Sequence, residues 1–165
     1  MRRRVPLAAL LACCLLQALP SVAGDDSVLD GLKARAQPLL YALGLLGSPY
    51  KLGGTDPEKG VDCSGFVRHV FKRTEAIDLP HNAKAISQKG ETVPREQLSP
   101  GDLVFFNTLR KPFSHVGIYA GDGQFVHASS SRSKQVMVSN MNDRYWSRRF
   151  DGARRLPATQ ATEAR

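Results

Sequence analysis

The sequence predicts an α+β fold, with helices in the first half of the chain packed on an antiparallel sheet made by the second half. Apolar residues recur at helical spacing up to about residue 89, and from Pro100 onward the apolar segments become short runs rich in β-branched and aromatic residues. Helices come first and strands afterwards, which argues against alternating βαβ units and a parallel sheet.

The chain of 165 residues opens on a leader. "MRRRVPLAALLACCLLQALPSVAGDD" places three arginines before an apolar run and ends in Ser21-Val22-Ala23, with small residues where a signal peptidase reads. Residues 1–23 are therefore read as a signal peptide cut after Ala23. The run from Val5 to Leu19 contains Pro6 and is short for a bilayer, so no membrane span is expected. An alternative reads Leu10-Leu11-Ala12-Cys13 as a lipobox with a lipid anchor at Cys13. It ranks lower, because the apolar run continues through Leu15 and Leu16 and Leu11 fits the motif poorly. Cleavage leaves 142 residues, enough for one compact domain and too few for two.

Residues 24–47 follow as a helical leader: Val28, Leu29, Leu32, Ala36, Leu39, Leu40, Leu43 and Leu46 keep helical spacing, with Pro38 marking a break or kink. The domain proper is assigned to residues 48–156. "GSPYKLGGTDPEKG" is a loop, helical pattern returns from Cys63 to about Thr74, and a second helix is expected around Asn82 to Lys89. "GDLVFFN", "SHVGIYA", "QFVHAS" and "QVMVSNM" read as strands. Residues 157–165 read as a disordered tail.

Without the leader's three arginines the chain carries 20 Lys and Arg against 15 Asp and Glu, a net charge of +5. Six arginines lie between Arg144 and Arg165. An exported basic protein meets wall polymers and anionic surfaces rather than nucleic acid, and a solvated basic surface is the simpler reading. Cys13 and Cys14 leave with the leader, so Cys63 stands alone and no internal disulfide can form. A lone exported thiol is either a core residue or a nucleophile.

Its neighbourhood favours the nucleophile. Asp62 suits an N-cap, which puts Cys63 on the first turn of a helix, where the partial positive charge of the helix terminus favours thiolate and lowers the thiol pKa. Small Ser64 and Gly65 would let a substrate backbone approach, and first-turn N–H groups point where an oxyanion would form. Cys63 falls on the apolar stripe of Phe66, Val67, Val70 and Phe71, facing whatever the helix packs against. Of the four histidines, His69 falls on the polar helix face and His81 in a loop. His115 and His127 fall inside strands. A three-residue turn Gly121-Asp122-Gly123 would put both on one sheet face, opposite the cysteine helix, whereas a two-residue turn Asp122-Gly123 would put them on opposite faces.

"PYKLGG", "DCSGFV", "LP" before His81, "PGDLVFF", "SHVGIY", "FVHASS" and "YWSRRFDGARR", in this order, closely resemble the NlpC-type family of bacterial cell-wall cysteine peptidases over Pro49 to Leu156. The resemblance implies a papain-like fold with a sheet of five or six strands. It also implies Cys63 as nucleophile, His115 as base and His127 as the residue that orients it, with Tyr50 binding substrate or the oxyanion. Asp62 and Ser64, from their place at the helix start, are assigned to the same substrate and oxyanion site. Leu52 stands where relatives commonly carry an aromatic residue, and His81 where many carry Arg. The implied activity is that of an exported endopeptidase acting on peptidoglycan, in the periplasm or cell envelope or secreted, as a monomer. No cofactor or metal is expected, and wall attachment would fall to the domain itself, the basic tail or a regulatory or wall-binding protein partner. The rivals are a zinc protein using Cys63, His115 and His127, and a wall-binding protein without activity.

Overall fold

A computed structural model describes residues 26–131 and 133–157. The segments read as a signal peptide or lipobox, and the tail from residue 158 onward, lie outside the described residues. Helix α1 (Asp26–Gly44) runs through Pro38 without ending there. Leu39 and Ala42, just past the proline, are buried in the core, so tertiary packing holds the helix beyond the missing hydrogen bond. A small hairpin of β1 (Thr55–Asp56) and β2 (Gly60–Val61) leads into α2 (Cys63–Thr74). Helix α3 (Ala83–Ile86) is a single turn, capped by Asn82, whose Oδ1 accepts from the Ala85 N–H at 3.0 Å.

Six strands then form one sheet: β3 (Glu91–Thr92), β4 (Leu103–Phe106), β5 (His115–Gly121), β6 (Gln124–Ala128), β7 (Val136–Asn140) and β8 (Phe150–Arg155), with a short α4 (Arg144–Ser147) before the last. Their order is β3-β8-β4-β5-β6-β7, antiparallel throughout. The expected α+β architecture with a five- to six-stranded antiparallel sheet is thus present. Strands β3 and β8 were not predicted, because "FDGARR" shows no alternation and its arginines read as surface. In the fold, Asp102, buried at the start of β4, accepts from Arg155 Nε at 2.8 Å and from Nη2 at 2.7 Å, which draws that end of β8 into the sheet.

The two faces of the sheet have different neighbours. One carries Leu103, Phe105, Val116, Ile118, Val126 and Ala128 against Phe66, Val67 and Val70 of α2 and Leu39 and Ala42 of α1. The other carries Val104, Phe106 and Phe125, covered by Trp146 and Phe150. Burial on both faces explains why β4 reads as the unbroken apolar run Leu-Val-Phe-Phe.

The β5–β6 connection decides where the histidines point. Gly121 pairs with Gln124, so the tip is the two-residue turn Asp122-Gly123, and both residues have positive φ as such a turn demands. A bulge between Tyr119 and Gly121 then restores the pairings Tyr119↔Phe125 and Ile118↔Val126. The tighter turn is therefore the one present, yet the bulge cancels its phase shift and leaves His115 and His127 on one face. That face is the one lined by Phe106, Phe125 and Trp146, not the face on which α2 packs.

Candidate active site

Asp62 begins the site. Its Oδ1 accepts from the Gly65 N–H at 2.7 Å, capping α2 as the sequence suggests, and from the Ser64 hydroxyl at 2.9 Å. Its Oδ2 accepts from the Gly53 N–H at 3.0 Å, and His81 Nε2 lies 3.0 Å from both oxygens. Burial pushes the carboxyl pKa up, but the bonds from Gly65, His81 and Ser64 outweigh it and hold the group below its ordinary value. Asp62 is therefore a charged hub joining the helix terminus, the glycine loop and the His81 segment. Gly65 serves the same junction: a Cβ there would collide with the Gly54 carbonyl. Its smallness accommodates the protein's own loop, where the sequence had suggested room for substrate.

Cys63 packs at the edge of the helix-side core and keeps some exposure as a residue. Burial of the thiol pushes its pKa up, the adjacent Asp62 charge adds to this, and the result is about 11. Backbone groups of Val116, Ser64 and Cys63 itself pull the other way and lose. The lowered pKa expected from the helix terminus alone is therefore reversed, because desolvation and a neighbouring carboxylate outweigh half a unit of dipole charge. The Val116 contact sets Cys63 against the backbone of β5, one residue along from His115. Tyr50 lies close to both residues: burial first, then Cys63 in its ionised form and Asp62, raise its pKa.

On the far face of the sheet a 2.8 Å hydrogen bond joins His115 Nε2 to His127 Nδ1, and a 2.9 Å bond joins His127 Nε2 to Ser139 Oγ on β7. Gly117 leaves space between them, since a Cβ there would stand 3.2 Å from the His127 Cβ and 2.7 Å from the Phe125 ring. Trp146 packs 5.5 Å from His115 and 5.1 Å from His127, centroid to centroid. Burial lowers the His115 pKa to about 4 and pushes that of His127 well below its ordinary value. Both rings are thus neutral at pH 7, where Cys63 is held as thiol. A cleft of about 320 Å3 opens over them, lined by Thr108, Ser129, Ser131, Ser139, Tyr145 and Trp146 among others. Among the described residues no three His, Cys, Asp or Glu side chains are grouped to hold a metal ion, and no helix is long and apolar enough to cross a membrane.

The structure therefore brings Cys63, Asp62, Ser64 and Tyr50 to one end of α2 and joins His115 to His127 on the other face of the sheet, with the Cys63 thiol against the backbone of Val116, the residue after His115. His69, expected on the surface, is half-buried and bonded to the Tyr41 hydroxyl at 3.1 Å. Three residues of the site were not legible as such: His81, read as a loop or cleft residue with no partner in view, Trp146, and Ser139. The signals for His81 were its place after Leu79-Pro80 and its standing where many relatives carry Arg, and for Ser139 its strand parity.

Comparison with known proteins fits this geometry. The sequence profile of the NlpC/P60 family matches residues 47–155. The murein DD-endopeptidase MepS/murein LD-carboxypeptidase of Escherichia coli strain K12 is 44% identical over 110 residues, covering 67% of this chain and 56% of that protein. The gamma-DL-glutamyl hydrolase of Bacillus subtilis strain 168 is 43% identical over 112 residues, covering 67% of this chain and 27% of that protein. The chain thus spans about half of one relative and about a quarter of the other. Among solved structures, an NlpC/P60 family protein from Bacillus cereus superposes with a TM-score of 0.68 at 32% identity, over 74% of this chain and 40% of that one.

Proposed function

The chain belongs to the NlpC/P60 family, and from that premise we propose that it is an exported cysteine endopeptidase that hydrolyses peptide bonds of peptidoglycan. The bond is γ-D-glutamyl-diaminopimelate within a stem peptide or D-alanyl-diaminopimelate between stems. Its relatives carry the names of murein and γ-glutamyl hydrolases. The observation that carries the reading is the convergence of a capped helix terminus bearing a lone cysteine on a strand that begins with a histidine bonded to a second histidine. Export is supported by the arginine-rich apolar leader, and N-terminal sequencing of the processed protein, expected to begin at Gly24, tests it.

In this reading the free enzyme holds a neutral pair. The His115 Nε2 position is taken up by His127, so Nδ1 is the atom that accepts the Cys63 proton as sulfur adds to the scissile carbonyl carbon. Asp62 already engages the N–H groups of Gly65 and Phe66, leaving those of Cys63 and Ser64, with the Tyr50 hydroxyl, for the oxyanion. Collapse breaks the C–N bond, and the departing amine takes the proton from His115. Water then gives a proton to His115 and adds to the thioester, the C–S bond breaks, and the proton returns to sulfur.

Mass spectrometry of muropeptides before and after digestion tests this and distinguishes the two bonds. Wild type is expected to release new fragments, and Cys63→Ala none while keeping the wild-type circular dichroism. Near wild-type turnover in Cys63→Ala overturns the nucleophile assignment.

A further inference from the structure

We propose that Ser139 is a positioning residue that selects the tautomer of the histidine pair, an inference that rests on His115 being the acceptor of the Cys63 proton. Its structural basis is the continuous chain from His115 Nε2 to His127 Nδ1 at 2.8 Å and from His127 Nε2 to Ser139 Oγ at 2.9 Å. Strand register puts Ser139 there, because Met137 opposes His127 and Ser139 opposes Phe125, making Ser139 a diagonal neighbour of His127 on the same face.

A neutral imidazole carries one ring proton, so the chain has two consistent proton arrangements. In the first, His127 donates from Nε2 to Ser139 and its Nδ1 lone pair accepts from His115 Nε2–H. His115 Nδ1 is then bare and able to take a proton. In the second, Ser139 donates to His127 Nε2, His127 donates from Nδ1 to His115 Nε2, and His115 carries its proton on Nδ1, where it blocks transfer from the thiol. Only the first serves the reaction. Ser139 can fill the role the first arrangement requires: the residue is half-buried and lines the cleft, so its oxygen can accept from His127 Nε2–H while its own O–H turns to solvent. The same arrangement serves once His115 becomes cationic, since His127 Nδ1 continues to accept from Nε2–H without any proton moving along the chain.

The test is nitrogen-15 NMR of the histidines in the full chain, combined with kinetics on muropeptides. In wild type both rings are expected as the Nε2–H tautomer. Ser139→Ala is expected to mix the tautomers and lower kcat about tenfold, the scale of one neutral hydrogen bond, with KM changed less than about twofold; Ser139→Thr, which keeps the hydroxyl, restores both readouts. A proton on His115 Nδ1 in wild type, or unchanged tautomers and kcat in Ser139→Ala, overturns the inference. If His115→Ala also retains turnover, the underlying reading of His115 fails; if His115→Ala is inactive while Ser139→Ala is silent, only the role of Ser139 fails.

Discussion

His81 Nε2 stands 3.0 Å from both carboxylate oxygens of Asp62, the residue that caps α2 and precedes Cys63. The arrangement fixes a negative charge beside the thiol, and that charge raises the Cys63 pKa after burial has raised it further. Wild-type Cys63 is therefore expected to react with iodoacetamide with a pH midpoint above the free-cysteine value of about 8.5. Asp62→Asn keeps an oxygen for the Gly65 N–H and removes the charge, so its midpoint is expected to fall below that of wild type. An unchanged midpoint would show that Asp62 does not act electrostatically on the thiol.

His115→Ala is expected to abolish turnover as thoroughly as loss of Cys63, because in the proposed reaction His115 is the group that carries the proton. His127→Ala should leave measurable activity, since water can enter the cleft and replace part of an orienting bond. Steady-state kinetics on purified muropeptides separates the two, and equal, negligible losses would refute the assignment of both.

Gly65→Ala is expected to lower stability by about 1–3 kcal/mol, because the new methyl group meets the Gly54 carbonyl and neither backbone segment can yield freely. Urea denaturation measures it, and a stability equal to wild type would mean that the loop moves aside at little cost.

The buried His115 makes stability depend on acid. Its folded pKa of about 4 lies below the unfolded value of about 6.5. The unfolded chain therefore binds more protons between those values, and stability falls as pH drops through that window, by about 3 kcal/mol for this group when complete. Denaturation of wild type and His115→Ala at pH 7 and pH 4 is expected to show a smaller acid loss in the variant.

Deletion of Ala120 removes the bulged residue and leaves Tyr119↔Phe125 next to Gly121↔Gln124 in a regular ladder. His115 and His127 keep their shared face, so the deletion is expected to preserve most activity. Inactivity in a folded variant would show that the bulge does more than correct the phase.

Much of this was legible in the sequence, for local reasons. Asp62 followed by an apolar helical stripe announces a cap and its helix, and the runs of β4 to β7 alternate or are continuously apolar. The features that were not legible depend on contacts across the chain. The sign of the Cys63 shift follows from burial, which a helix-terminus argument cannot see. The tip Gly121-Asp122-Gly123 fits either turn length, and a bulge leaves no residue signature there. Strand β8 escapes notice because Arg155 finds its partner Asp102 at a separation of 53 residues.

That last strand has a kinetic consequence. β8 is the last strand in sequence among the described residues, yet it lies inside the sheet, between β3 and β4. Until residues 150–155 are available, β4 has no neighbour on that side and Val104 and Phe106 lack the cover that Ala153 and Phe150 provide. A chain in which β8 has not yet paired therefore holds an open, apolar strand edge on β4. Such late, long-range closure slows folding and exposes the intermediate to aggregation. The sheet is thus completed by a strand distant in sequence from its neighbours, and the face that carries His115 and His127 is fully covered only when β8 has docked.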